Sequence, residues 1–458
     1  MSNIEVYKLL TIFISMNIER IKVWGLFDDL NHDLKFKNDE KIMLLTGLNG
    51  SGKTTILNLI NVLFNKSLTY LCNIPFRKIN IFFDNQTNLL IEKFVDHPSE
   101  EDNSLPLLLT LNKNGEKLHS FHPEKILSED AKHELPLSYI DEIIPELHRV
   151  NPRKWINLHT HSTLDLTDIL IEYSDHFRTF PIDEVLQIPI WFQDLKSSVN
   201  VRFIDTERLT QVDSRSLKRR RRYAPLRTVN HYSEHLANYI KDKTANYGTL
   251  SQSLDRTFPV RLVENRTESD LSVDSLSEEL AEIEEKRVKL ENAGLFAIEQ
   301  SHLSVPDLSN IDGSQIGVLT VYARDAKKKL AVFDDLYEKV SVFQRILNAR
   351  FSNKRVSVSD NGLQVCKNES PPLNLELLSS GEQHELVMLY DLLFRAPTNS
   401  LILIDEPEIS LHVAWQEEWL DDLDEIAKLS DFKAIIATHS PEIIGRRLNL
   451  SVELHSSR

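Results

Sequence analysis

Glycine is scarce in this sequence, 12 in 458 residues, and cysteine scarcer still at two. Cys72 and Cys366 stand far apart in apolar, strand-like surroundings, which leaves no disulfide framework and points to a reducing compartment. No apolar run approaches the roughly 18 residues that a membrane helix needs, so no membrane partner is expected. "LLTIFIS" at 9–15 is too short and too weakly flanked for a secretory signal. Met16 begins "MNIERIKVWGLF", which reads like a natural first strand and makes residues 1–15 an alternative start. Basic residues are outnumbered 53 to 69, for a net charge of −16. That excludes a surface that is basic throughout but not a local basic groove. The expected location is the cytoplasm.

Against this scarcity, three glycines fall within six residues in "LTGLNGSGKTTIL", 45–57. Gly47, Gly52, Lys53 and Thr54 satisfy the phosphate-loop spacing G-x-x-x-x-G-K-[ST]. Glycines let backbone N–H groups turn toward a phosphate with positive φ. Lys53 is the residue that reaches the β and γ phosphates, and the Thr54 hydroxyl is a magnesium ligand. A helix opening near Lys53 adds its positive dipole end. The apolar run 42–45 before the loop and the three-and-four spacing of Ile56, Leu57, Ile60 and Leu63 after it supply the strand–loop–helix context. Candidate nucleotide-binding residues are therefore Gly47, Asn49, Gly50, Ser51, Gly52, Lys53, Thr54 and Thr55, with ATP and Mg2+ as the cofactors.

Three later stretches complete the chemistry. In "SLILIDEPEISLH", 400–412, a buried strand of bulky residues ends in Asp405 and Glu406. In a parallel sheet that end faces the ligand crevice. Asp405 suits magnesium, held with Thr54, and Glu406 suits the orientation or deprotonation of an attacking water. In "LELLSSGEQHELVMLYDLLF", 375–394, Ser379 to Glu382 read as a helix N-cap with a capping box. In "FKAIIATHSPEII", 432–444, a second buried strand delivers Thr438 and His439.

Leu378-Ser379-Ser380-Gly381-Glu382-Gln383 resembles the signature motif of ABC-type ATPases, nearest the SMC, Rad50, RecF and OLD-like branch. The order of the four motifs is that of the family, over roughly residues 17–66 and 372–448. The resemblance implies an α/β fold, an ABC-type P-loop ATPase head assembled from N- and C-terminal segments. It implies His439 as the switch histidine at the γ-phosphate, catalytic with Glu406. It also implies that Ser379, Ser380, Gly381 and Glu382 face the nucleotide of a second subunit, hence a homo-dimer of heads with ATP. Two features depart from the family pattern. Ser380 stands where many cassettes have glycine, and "EPEISLH" replaces the transporter Ser-Ala-Leu-Asp, which leaves the coupling role of Ser410 and His412 open. Gln211 is a weak candidate for the Q-loop glutamine, and Arg208 a candidate lining residue.

The rest of the chain divides by pattern into five segments. Residues 1–112 form the N-terminal half of the head. Residues 113–200 read as a mostly helical insertion, rich in His and acidic residues. Residues 201–268 return to the head with a basic loop, Lys218, Arg219, Arg220, Arg221 and Arg222. Residues 269–350 carry heptad-like spacing in two arms, 274–294 and 319–347, and read as a short antiparallel coiled-coil hairpin, with an ordinary pair of core-packed amphipathic helices as the other reading. Residues 351–458 form the C-terminal half of the head. His159 and His161, with His119 and His122, lack the Cys or carboxylate cluster that a metal site needs.

The insertion is too large for a transporter cassette, and its arms are too short for a chromosome-scale rod. Only 19 residues follow His439, too few for a nuclease fold. "DEPEISLHVAWQ", "ATHSPEII" and "SQSLDRTFPVRL" resemble the ATPase subunits of bacterial anti-phage systems, the PARIS type (AriA) somewhat more than the Septu type (PtuA). That resemblance implies an ATPase of slow turnover that forms a higher homo-oligomer. It would restrain a separate effector nuclease, TOPRIM-like or HNH, until a phage trigger protein or nucleic acid arrives. Lys218–Arg222 is the candidate surface for that trigger or for DNA. The alternatives are a RecF/SMC-like DNA-binding ATPase in repair, and an ATP-binding scaffold with almost no turnover. DNA-stimulated hydrolysis with a steep salt dependence would favour the repair class.

Overall fold

A computed structural model describes residues 16–37, 40–66, 68–94, 106–123, 188–204, 210–211, 226–264, 272–296, 313–367, 370–409 and 411–454, with short pieces between 140 and 173. The chain divides into two compact units. One comprises Met1–Thr206, Ala396–Ile409 and Gln416–Arg458, and the other comprises Glu207–Arg395 and Ser410–Trp415.

The first unit holds two large sheets. Five parallel strands run in the order Asn200–Ile204, Ser400–Asp405, Phe432–Ala437, Ile42–Thr46 and Ser451–Glu453. The central strands read as unbroken apolar runs because both faces are covered; all six residues of Ser400–Asp405 are buried. Helix Lys53–Asn65 turns Ile56, Leu57, Ile60 and Leu63 inward, each fully buried, as its three-and-four spacing requires.

The second sheet is antiparallel, in the order Leu30–Lys35, Ile18–Leu26, Lys78–Phe83, Thr87–Lys93, Leu107–Lys113 and Glu116–Phe121. Its strands alternate, and Ile79, Ile81, Leu89, Ile91, Leu109 and Leu111 face inward. These side chains join Ile56, Ile60, Leu403 and Ile435 in one core. Truncating any of them to Ala should cost roughly 2–5 kcal/mol. That shared core is what holds the phosphate loop against the parallel sheet.

Residues 113–200 depart from the helical expectation. The described part contains strand Glu116–Phe121, a small antiparallel sheet of Leu147–Asn151, Lys154–Asn157 and Thr163–Asp165, and one longer helix, Ile190–Ser198. The deciding signal is period two: Trp155 and Asn157 are buried between more exposed neighbours. The Arg149 guanidinium lies 5.2 Å from the Trp155 ring centroid and covers its face. His119 stacks on Trp191 at 5.6 Å and His122 on Phe94 at 6.1 Å, so both have aromatic partners. His159 and His161 lie outside the described residues.

In the second unit the 201–268 segment does not return to the head as one piece. Strand Asn200–Ile204 belongs to the parallel sheet, whereas Thr228–Glu264 forms a 37-residue helix of the other unit. Tyr239 bonds Asp335 at 3.0 Å, Asp255 pairs with Lys329 at 2.8 Å, and Arg261 pairs with Asp325. Numbers rise on one side and fall on the other, so this helix runs antiparallel to the 313–350 stretch.

Helix Val273–Asn292 packs on Gly313–Leu330, with Lys327 reaching Glu282 at 3.1 Å and Glu279 at 3.6 Å. The arm expected at 319–347 is not one helix. It breaks at the 3-10 turn Ala331–Phe333, where Phe333 is fully buried against Tyr247 and Phe296. Helix Asp334–Arg350 beyond the break packs instead on Arg355–Ser359 and Ser380–Tyr390. Of the heptad-like positions Leu276, Leu280, Ile283, Leu290, Leu330, Val340 and Leu347 are buried, whereas Tyr322 is exposed. Lys218–Arg222, Arg208 and Ser410 lie outside the described residues, and Gln211 pairs with Leu226 in a two-residue ladder. No helix among the described residues is long and apolar enough to cross a membrane.

Candidate nucleotide-binding site

All of the parallel strands end on one side, and three of them carry the candidate chemistry there. Asp405, Ala437 and Leu45 stand level across the sheet. The rungs continue past the strand ends. Glu406 N–H donates to Ala437 O at 2.9 Å, and Thr438 N–H donates to Leu45 O at 3.2 Å. Loop 47–52, Asp405–Glu406 and Thr438–His439 therefore leave a single sheet edge side by side.

The loop needs its glycines for two separable reasons. Gly47, Gly50 and Gly52 have φ of 145°, 83° and 89°, which L side chains rarely adopt. At Gly52 a Cβ would also lie 2.6 Å from Leu26 Cδ2, and at Gly47 2.6 Å from the Leu454 carbonyl. Gly50 faces open space, so only its backbone angle asks for glycine. Asn49 and Gly50 are exposed, whereas Ser51 is buried and its Oγ has no hydrogen-bond partner among the described residues. Such a buried, unmatched hydroxyl belongs in a loop shaped to meet an anion.

Lys53, 5% exposed, bends over the loop and donates to the carbonyls of Gly47 at 2.9 Å and Leu48 at 3.2 Å. Burial lowers its pKa, while the charges of Glu406, Asp405 and Glu408 push the other way. Thr54 is exposed beside it, and Thr55 is half-buried on the same turn. Thr54 Oγ1 donates to Asp405 Oδ1 at 3.1 Å.

Glu406 has φ of 44°, a left-handed conformation that costs a non-glycine residue about 1–3 kcal/mol. Its N–H bond to Ala437 holds it there. The chain thus turns off the strand direction immediately after the buried Asp405. His439 is exposed, and its backbone N–H donates to Glu408 Oε1 at 2.6 Å.

The signature stretch lies in the second unit. Ser379 caps helix Ser380–Tyr390: its Oγ accepts from Glu382 N–H at 3.4 Å, while Glu382 Oε2 accepts from Ser379 N–H at 2.8 Å. This is a complete capping box. Lys354 Nζ donates to both Glu382 oxygens, at 2.6 and 2.7 Å. Burial raises the Glu382 pKa, but these bonds outweigh it and leave the carboxyl below its ordinary value. Gln383 Nε2 donates to the Leu378 and Glu376 carbonyls and fixes the approach to the helix. Ser379 and Ser380 remain exposed, and Gly381 is partly so.

A family profile for the AAA ATPase domain matches residues 16–444 of this chain. The chain belongs to that family. It is an ATPase-domain protein, with the nucleotide chemistry that this implies. No curated protein matches it. Similar solved structures include the Smc head domain with an extended coiled coil bound to the C-terminal domain of ScpA, derived from Pyrococcus furiosus. That chain is 14% identical, with 94% of this chain and 91% of that one covered and a TM-score of 0.36. Another is the SmcHead bound to the C-winged helix domain of ScpA, at 11% identity, 93% and 91% coverage and a TM-score of 0.33.

In this AAA ATPase domain the residues present fit a magnesium ion. No group of three His, Cys, Asp or Glu among the described residues could hold a metal. Mg2+ with a nucleotide uses one or two protein oxygens and takes its remaining ligands from phosphates and water. Thr54 Oγ1 and Asp405 Oδ1 provide such a pair. When bound, the ion would offset phosphate charge. Two residues beside this edge, Glu408 and Gln416, are not singled out by sequence reasoning. Both lie in "DEPEISLHVAWQ", but only the fold shows that they touch the His439 loop.

Proposed function

We propose that this ATPase domain binds and hydrolyses ATP at a site completed by a second copy of the chain, and that its nucleotide state controls a separate effector nuclease in anti-phage defence. The observation that carries the nucleotide chemistry is the Thr54–Asp405 hydrogen bond, which joins the phosphate loop to the carboxylate strand. Lys53 would hold the β and γ phosphates, and Glu406 would orient or deprotonate the attacking water. His439 would contact the γ-phosphate. Ser379, Ser380, Gly381 and Glu382 of the second copy would offer a capped helix N-terminus to the same phosphate.

Apolar side chains beside each half-site support dimerisation. Leu48 is 73% exposed next to the loop, Ile409 44% after the carboxylates, and Leu377 74% before the signature. The defence role and the effector rest on the sequence resemblance to PARIS- and Septu-type subunits. The test is a native-locus pull-down with Glu406→Gln protein and ATP. A stoichiometric partner with a nuclease fold is expected. Co-purifying DNA lost at high salt, with no protein partner, would instead establish the repair-type ATPase.

A further inference from the structure

The loop that carries His439 is held by two side chains, Glu408 and Gln416. Glu408 Oε1 accepts the His439 N–H at 2.6 Å, across 31 residues of chain. Gln416 approaches the same loop from the helix Val413–Leu429 and is buried. Its Oε1 accepts from Ser440 Oγ at 2.7 Å, and its Nε2 donates to the Glu408 carbonyl at 3.5 Å. Ser440 Oγ accepts the Ile443 N–H at 3.2 Å, and the Ser440 N–H donates to Thr438 Oγ1 at 3.0 Å. One segment, 406–408, is thereby tied to another, 438–440, through both backbone and side chains.

The bond to His439 is the strong kind, a backbone N–H on a carboxylate at short distance. Glu408 Oε2 is buried and has no hydrogen-bond partner among the described residues, so the carboxylate is committed to the loop through its other oxygen. Glu408 as a residue is half-buried, but a buried carboxylate oxygen without a partner carries a desolvation cost.

We propose that Glu408 and Gln416 are positioning residues for ATP hydrolysis: together they fix the Thr438–Ser440 loop so that His439 is presented at the γ-phosphate. The inference rests on the ATPase reading of the site. Neither residue need touch the nucleotide. Glu406 and Glu408 lie on the same short segment, so the device also couples the water-orienting carboxylate to the histidine. A displacement of about 1 Å at such a group costs on the order of 100-fold in rate.

The test is steady-state ATP hydrolysis by the full-length protein. Glu408→Ala is expected to lower kcat about 10- to 100-fold with KM for ATP changed less than about threefold. Glu408→Gln keeps a neutral acceptor for the His439 N–H and should recover most of the rate. A Glu408→Ala enzyme at wild-type kcat, a loss confined to KM, or a Gln variant as impaired as the Ala one would overturn the proposal. Wild-type protein without turnover would overturn the underlying ATPase reading, a result visible before any variant is made. Hydrogen exchange on the wild type gives a second reading that no folding defect can blur. The His439 amide should exchange far more slowly than an exposed loop amide, and exchange at the free-loop rate would refute the clamp.

Discussion

Thr54 and Asp405 are 351 residues apart in sequence, yet the Thr54 hydroxyl donates to the Asp405 carboxylate at 3.1 Å. The contact exists because strands Ile42–Thr46 and Ser400–Asp405 lie in one parallel sheet, each beside Phe432–Ala437. Parallel strands put all their carboxyl ends on one edge, so residues that follow different strands converge there.

That pair should control magnesium more than nucleotide. Asp405→Asn is expected to weaken Mg2+-dependent ATP binding about 10- to 100-fold while ATP binding in excess chelator changes little. Titrating Mg2+ against a fluorescent ATP analogue reads both. Equal losses with and without the ion would count against a metal role for Asp405.

Lys53→Ala removes the buried ammonium that the loop carbonyls of Gly47 and Leu48 hold in place. ATP affinity should fall at least 100-fold, about 2.7 kcal/mol. Calorimetric titration is the direct measurement, and tight residual binding would contradict the loop assignment.

Glu382 makes a pH prediction. Its folded pKa is depressed below the model-compound value of 4.5 because Lys354 and Ser379 outweigh burial. A depressed carboxyl contributes stability that is fully present above 4.5 and is lost as pH falls through the folded value. Wild-type thermal stability should therefore drop more steeply than that of Glu382→Gln over the range below about pH 4.5. Parallel melting curves for the two proteins across that range would disprove it.

Arg350 and Glu385 form an ion pair whose side chains are 3% and 0% exposed. Glu385→Ala leaves a buried guanidinium without its carboxylate, and the expected cost is roughly 3–5 kcal/mol in urea unfolding. Replacing both with Met and Leu should restore most of that loss. A single variant as stable as wild type would mean that water reaches the site.

The chemistry at the sheet edge was legible in the sequence because each motif is local. Gly47, Gly52, Lys53 and Thr54 act through backbone angles and short reach, and the apolar runs before Asp405 and Thr438 announce buried parallel strands. The 113–200 segment misled because its histidines and acids mask a short period-two pattern around Trp155. Helix Thr228–Glu264 was missed for the opposite reason. It follows a basic run, contains Pro259 and shows its partners only once Asp325, Lys329 and Asp335 are opposite it.

By itself the sequence determined that this chain carries a phosphate loop, two adjoining carboxylates, a capped Ser-Ser-Gly-Glu helix and a histidine after a buried strand. Those are properties of short stretches, fixed by sterics, capping and hydrophobic periodicity. Tertiary structure alone decided that Thr54 meets Asp405, that Glu406 sits at positive φ, and that Glu408 and Gln416 hold the His439 loop. Hydrogen bonds between groups so far apart in the chain depend on strand order and register, and no local pattern encodes either.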